Sequence, residues 1–571
     1  MPQIQHAEAG PRTRALFSAL LAAFIFLPAF AGFPENSAAA EEEPQLLSAR
    51  GEDELRGVLS AGRLDNLQWP QFGDCQAELQ NFYKSVNYSL AWINNSRPTA
   101  KARAVIKLLE TADNEGLPAE DYDGPLWKDR LTSLERHSRH ASEPELMRFD
   151  LALTICAMRY LLDLHLGRLN PKPARFAFKG EPDIRGPSDF LLKRVLPAPD
   201  AEAAFSEAEP PFPAYRRLTK AVQLYRGLAL RDDGEKLPVP GHSVRPGKSY
   251  SGIPRLTRLL SLLGDLPPQP VPAPDLYTGE LVEAVKRFQG RHGLPPDGVL
   301  GRQTLRQLNI PLDQRLRQLR LALERWRWLP HLVSRPPIIV NIPEFRLYDG
   351  DDTSHKVVVG KAFANQTPVF ASLLTEVIFR PPWNVPMSIQ HKEMIKEIEK
   401  NPYFLKGQGF EVINSAENVV SSGEVSAGIL AKLRDGRLSL RQRPGPKNSL
   451  GLVKFLMPNP YDVYLHGTPA QGAFWELRRD MSHGCIRVED PETLADWVLR
   501  GQPEWTPRRI RAAMNGTRTI TVSLTEPVPV FIQYGTAVAG EDGEVRFFED
   551  IYSRDAAEGT AFEQRLRLAE Q

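Results

Sequence analysis

From Pro336 onward the chain is written in period two. PPIIVNIPEFRLYDG and HKVVVGKAF alternate β-branched and aromatic residues around turn signals, and LLTEVIFRPPWNVP, KFLMPNPYDVYLHGT and TITVSLTEPVPVFIQYGTAV continue the pattern. Such alternation buries one face of a sheet and gives a helix no apolar stripe, so this part is predicted to be a β-rich domain over 336–555. The earlier half follows another rule. AKARAVIKLLETADNEGL sets Ala104, Leu108 and Ala112 four apart with Gly116 as a stop, and MRFDLALTICAMRYLLDLHLGRL runs helically to Asn170-Pro171. The expected fold is therefore multidomain α+β. A helical scaffold occupies 77–250, a small helical module 251–311, a connecting helix 312–335 and the β-rich domain the remainder, with a C-terminal tail over 556–571. One polar helical excursion, SIQHKEMIKEIEKNPYFLKGQGF, interrupts the strands. Its amphipathic helices, Gly407, Gly409 and the PGP turn at 444–446 predict an inserted lid over 388–450.

Polar stretches separate these parts. Residues 41–76, with EEEPQ and SARGEDE, are predicted to be a tether, and RDDGEKLPVPGHSVRPGKSY (231–250) is linker-like. The chain holds 50 prolines, against an ordinary ~5%, and PPQPVPAP is stiff and extended. In DLYTGELVEAVKRFQGRHGLPPDGVLGRQTLRQLNIP, Leu281, Val285 and Phe288 share one helical face, LPPDG turns, and Thr304, Leu305 and Leu308 open a second short helix; His292 is expected to be a structural turn residue. The arginines around Trp326 and Trp328 suit an amphipathic docking helix. Nucleic acid is not an expected partner: Lys plus Arg is 71 and Asp plus Glu is 70, so no bulk positive field exists.

At the N-terminus, Arg12 and Arg14 precede an uncharged run from Ala15 to Phe33, with Ala38-Ala39-Ala40 beyond it. Residues 1–40 read as a signal peptide or an N-terminal membrane anchor, so the remainder is expected to leave the cytoplasm. The three cysteines are Cys75, Cys156 and Cys485. An odd number leaves at least one thiol free. Cys156, between Ile155 and Ala157, reads as buried, and a Cys75–Cys156 disulfide stays open.

The chemistry converges on YLHGTPAQGAFWELRRDMSHGCIRVED. Only a thiolate attacks, and a free thiol has a pKa of about 8.5, so Cys485 needs a base. His466, at the end of the VYLHG strand, supplies an imidazole. Gly484 lets the backbone approach closely and aim amides at an oxyanion. A Cys–His acyl-transfer site fits. A zinc site on His466, His483 and Cys485, or a strand-end cysteine with two incidental histidines, fits the same residue types.

HGTP followed by SHGCIRVED resembles the YkuD-type L,D-transpeptidase motif, and most resembles the large YcbB-like branch with scaffold and peptidoglycan-binding domains. AVKRFQxRHGLPPDGVLGxxTLxxLN is similar to that binding module. GKAFANQTPVF, FRPPWNVP, RQRPGPKNSLGLVKF, PVPVFIQYGTA, FYKSVNYSLAW and ADNEGLPAEDY extend the resemblance across 77–555. It implies Cys485 as nucleophile and His466 as base, oriented by the Gly467 carbonyl. His483 is a support residue in the catalytic motif, Arg487 holds the loop or a substrate carboxylate, and Tyr464 and Trp383 line the pocket. The implied reaction is 3→3 cross-linking of peptidoglycan stem peptides through a thioester, by a periplasmic monomer without cofactor or metal. The membrane would be touched only through an N-terminal anchor. Partners would be stem peptides and glycan strands. An L,D-carboxypeptidase using the same cysteine and a non-catalytic wall-binding protein are the alternatives.

Overall fold

The computed structural model describes residues 44–137, 141–169, 186–267, 276–331, 333, 335–350 and 353–564. The signal or anchor at 1–40, the prolines from 268 to 274 and the last residues of the tail lie outside the described residues. The fold is α+β, helical first and β-rich later.

The β-rich domain is a closed ring. Its strands are β1 (Ile338–Asn341), β2 (Arg346–Tyr348), β3 (Ser354–Gly360), β4 (Phe370–Phe379), β5 (Val453–Leu456), β6 (Leu465–His466), β7 (Asp480–Ser482), β8 (Ile486–Val488) and β9 (Ile520–Gln533). Hydrogen bonding runs β3–β8–β6–β5–β4–β9–β1–β2 and returns from β2 to β3, with β7 added beside β3. Closure removes the sheet edges that would otherwise invite pairing with other chains. The pairs β6–β8, β9–β1 and β7–β3 are parallel, the rest antiparallel. β9 absorbs Pro527 at a register shift between Ser523 and Val528, where it need not donate to the ladder, while Pro529 stays paired with Leu373. Val340, Val357, Val359, Leu374, Val453, Phe455, Leu465, Ile486, Val488 and Val530 fill the interior, each fully buried and each contributing about 1.5–3 kcal/mol.

Several sequence boundaries move. The 41–76 tether contains a helix, Ala49–Ala61, capped by Ser48 Oγ accepting from Gly51 N–H. Leu55 and Leu59 of this helix are buried in the scaffold core; surrounding charges masked two leucines at helical spacing. Residues 231–250, assigned to the scaffold, join the next module. Leu237, Val244 and Tyr250 are buried with Leu256, Tyr277 and Phe288. The Pro213–Arg231 helix packs on the barrel, where Phe212 lies 5.2 Å from Trp326 and 5.9 Å from Phe531 between ring centroids. The tail at 556–571 begins within a helix, Arg554–Gln564, and buries Phe562. The helical reading of 388–450 misses a four-stranded sheet of Trp383–Asn384, Phe410–Ile413, Val419–Ser421 and Ser439–Gln442, which has a core of its own around Leu405, Val412 and Leu440. Its strands are too short for alternation to register. Cys75 and Cys156 are both free and buried, so the disulfide is not formed. His292 is buried, its Nδ1 2.7 Å from the Phe288 carbonyl, in the structural role expected of it.

The Leu312–Arg327 helix joins scaffold, barrel and C-terminal helix. Fully buried Glu324 accepts from the Arg168 and Leu169 N–H groups at 3.0 and 2.7 Å and from Trp328 Nε1 at 3.0 Å. Arg325 pairs with Asp555 and Glu558, both at 2.7 Å. Glu324→Ala orphans the two N–H groups and removes the carboxylate 3.9 Å from the Arg327 guanidinium, which is expected to cost about 3–5 kcal/mol. The thermal midpoint should fall, with Arg168 and Leu169 among the first amides to lose exchange protection. A midpoint equal to wild type would refute the role of this joint.

Candidate active site

Strand alternation decides which side chains leave the barrel. Leu465, Ile486 and Val488 point inward, so Tyr464, His466, Cys485 and Arg487 project from the outer face. On β5, Val453 and Phe455 are inside and Lys454 is outside. The register sets a row across three strands: Lys454 opposes His466 on β6, and His466 neighbours Arg487 on β8. One step along, Ile486 N–H donates to the Tyr464 carbonyl at 3.1 Å, which brings Tyr464 beside Cys485.

Cys485 sits in a pinned loop between β7 and β8. Gly484 has φ +117°, a conformation that L side chains rarely adopt. Ser482 Oγ donates to the Cys485 carbonyl at 2.6 Å and accepts the Gly484 N–H at 3.1 Å. That amide is therefore engaged within the loop. Thr367 Oγ1 donates to the Gly484 carbonyl at 2.8 Å and accepts from Gly360 N–H at 2.9 Å. Tyr552 completes the brace by donating to the Gly360 carbonyl at 2.5 Å.

Cys485 is partly exposed, unlike the other two cysteines. Its Sγ lies 3.7 Å from the Asp462 carbonyl, on a turn held by Asn459. Burial pushes the thiol up; hydrogen bonding from Tyr464 and the Lys454 charge pull the other way. His466 is 5% exposed, and its Nδ1 donates to the Gly467 carbonyl at 2.5 Å, leaving Nε2 unprotonated. Burial, then the Arg487 charge, push the imidazole down to about 3, with Lys454 acting in the same sense. It is neutral at physiological pH. Arg487 is itself pushed down by burial.

Trp383 and Cys485 both interact with the Tyr464 hydroxyl, so Trp383 does face the pocket, although its ring also packs 6.1 Å from Phe410 in the small sheet. His483 does not join His466 and Cys485. Its Nε2 is 2.6 Å from Glu393 Oε1 of the inserted subdomain. No group of three His, Cys, Asp or Glu side chains gathers among the described residues, so the zinc arrangement is not assembled.

Sequence reasoning passed over Lys454, Thr367, Asp462, Glu393 and Gly451. Thr367 lay inside GKAFANQTPVF, and Gly451 and Lys454 inside RQRPGPKNSLGLVKF, without being singled out. Gly451, at φ +66°, packs on the Gly467–Thr468 peptide: a Cβ there would meet the Gly467 carbonyl carbon and the Thr468 nitrogen, each at 2.6 Å.

Three family models match this chain. Residues 335–519 match the L,D-transpeptidase catalytic domain, 77–222 a scaffold domain and 250–308 a "Putative peptidoglycan binding domain". A curated protein of Haemophilus influenzae, named "Putative L,D-transpeptidase", is 30% identical over 265 residues, covering 45% of this chain and 53% of the relative. The chain thus spans about half the length of that relative. The resemblance carried by HGTP and SHGCIRVED is met by these findings.

Gly451→Ala should displace the Gly467 carbonyl, lower the melting temperature and slow acylation of Cys485 by a carbapenem about 100-fold, because the base loses its orientation. Gly467→Ala meets the Pro491 ring at 3.2 Å and, at ordinary van der Waals distance, Gly451 Cα and the Leu450 carbonyl at 3.6 Å, and should stay near wild type. Equal behaviour of the two variants would remove Gly451 from the site.

Proposed function

We propose that this chain, which carries an L,D-transpeptidase catalytic domain, cross-links peptidoglycan stem peptides through a thioester on Cys485. The observation that carries the reading is a partly exposed thiol on a pinned loop, on the same sheet face as a neutral, oriented imidazole of the neighbouring strand. The Cys485 sulfur attacks the carbonyl at the L-centre of the third stem residue while its proton passes to His466 Nε2. The amide C–N bond breaks, His466 returns the proton to the departing D-Ala amine, and a thioester remains. The side-chain amine of a second stem then attacks that thioester, forms the 3→3 amide and releases the thiol. The bond energy stays in the acyl-enzyme, so no nucleotide is consumed. With Gly484 N–H occupied by Ser482, the Cys485 N–H is the backbone donor we assign to the oxyanion. Arg487 is placed to hold a stem carboxylate.

The inserted subdomain is proposed to act as the lid. Its two chain ends are joined by Asn448, whose Nδ2 donates to the Pro381 and Arg443 carbonyls at 3.1 and 3.0 Å. Glu393 meets His483, two residues before the nucleophile. A cover there shields the thioester from water while the acceptor enters. The peptidoglycan-binding module supports a glycan-bearing partner, and the periplasm is the proposed compartment. No helix among the described residues is long and apolar enough to cross a membrane.

Two measurements test these points. Sacculi incubated with the enzyme should gain 3→3 dimers by mass spectrometry and none with Cys485→Ser, whereas Cys75→Ser and Cys156→Ser stay active. Release of tripeptide without dimers would assign hydrolysis instead, and turnover by Cys485→Ser would end the thioester reading. Carbapenem acylation should slow hydrogen exchange across 388–450; unchanged exchange would leave the subdomain as packing.

A further inference from the structure

We propose that Lys454 is a positioning residue for the nucleophile, a fixed cation laid on the Tyr464 ring that stabilises the Cys485 thiolate in place of an imidazolium. The inference deepens the transfer chemistry above and rests on it only in taking Cys485 as the nucleophile.

The geometry is set by the sheet. Lys454 and His466 are cross-strand partners, and on the outer face Lys454 lies one strand from His466 and two from Cys485. The Lys454 ammonium is 3.9 Å from the centroid of the Tyr464 ring, a cation–π placement that fixes its position. The hydroxyl end of the same ring interacts with Cys485. Lysine, phenol and thiol thus form one contiguous chain of groups.

The charges around these groups favour a cation at Lys454 and oppose one at His466. Lys454 forms no ion pair among the described residues. Asp462 and Glu376 act on it only from a distance, and the strongest charge in its favour is the Cys485 thiolate. Cys485 itself faces Tyr464, Lys454 and Asp462, and Arg487 responds to its charge. From the inserted subdomain, Glu393 is engaged by His483. His466 stands between Lys454 and Arg487 in the row. An imidazolium there would sit in a desolvated space between two like charges, which disfavours it. A stable thiolate–imidazolium pair is therefore a poor resting state. His466 suits transient carriage of a proton, while the negative charge on sulfur is balanced by cations already in place.

The test is the pH dependence of Cys485 alkylation by iodoacetamide in the full chain, followed by intact mass, with Cys485→Ala as the blank. Lys454→Met should raise the alkylation midpoint by about one pH unit, which is roughly a tenfold loss of thiolate at neutral pH. Lys454→Arg should restore most of the wild-type midpoint. Lys454→Gln carries the same expectation as Lys454→Met should the methionine variant misfold. An unchanged midpoint in a folded Lys454→Met or Lys454→Gln protein would overturn the proposal, even if turnover fell, because a merely structural role leaves the thiol titration intact. Failure of the wild type to cross-link sacculi, with the midpoint shift still present, would overturn the transfer reading and leave Lys454 in its role.

Discussion

The parallel pairing of Leu465–His466 with Ile486–Val488 is the constraint on which the site depends. It alone decides that Tyr464 and His466 emerge on the same face as Cys485 and Arg487. A slip by one residue would turn His466 into the apolar interior and expel Leu465, because side chains alternate at period two. The register is held by the burial of Leu465, Ile486 and Val488 on the opposite face. The chemistry is thus guarded by residues that take no part in it. Two close approaches then fix the strand ends: Gly451 against the Gly467 peptide, and Thr367 against the Gly484 carbonyl.

Much of this was legible in the sequence where long patterns carried it. The period-two run from Pro336 marked the barrel strands, and the four-spaced alanines and leucines of 100–116 marked a scaffold helix. Cys485 and His466 stood out because a thiol and an imidazole flanked by glycines have a recognisable chemical use. The pairing of His483 with Glu393 was not legible, since the two residues lie on different subdomains and meet only after folding. Lys454 was equally silent. In KFLMPNPYDVYLHG it looks like a solvated strand lysine, and only the register shows that it opposes His466. The helix at Ala49–Ala61 was hidden by its own composition, because Leu55 and Leu59 are a small apolar minority among charged neighbours. They suffice because the rest of the scaffold provides the core into which they fit.

An outer-face site on a barrel poses an electrostatic difficulty that the inserted subdomain resolves. Side chains pointing away from a barrel core ordinarily meet water, where a lysine a few ångströms from a thiolate gains about 1 kcal/mol and salt screens the rest. Here the Trp383 strand and the Gln390–Met394 turn lie against this face, the first through Tyr464 and the second through His483. Burial then shifts every group in the row in the direction that opposes its charge: Lys454, His466 and Arg487 down, Cys485 and Tyr464 up. Lowering the dielectric strengthens the pull between sulfur and cation while making each isolated charge more costly. The uncovered face would keep its charges but lose their coupling; the covered face requires that a negative charge appear on sulfur, or arrive with substrate, where Lys454 and Arg487 already stand. Beyond the water exclusion proposed for it, the subdomain changes the electrostatics of this face. It strengthens the pull of Lys454 and Arg487 on a negative charge at the Cys485 sulfur, although burial still holds the thiol up.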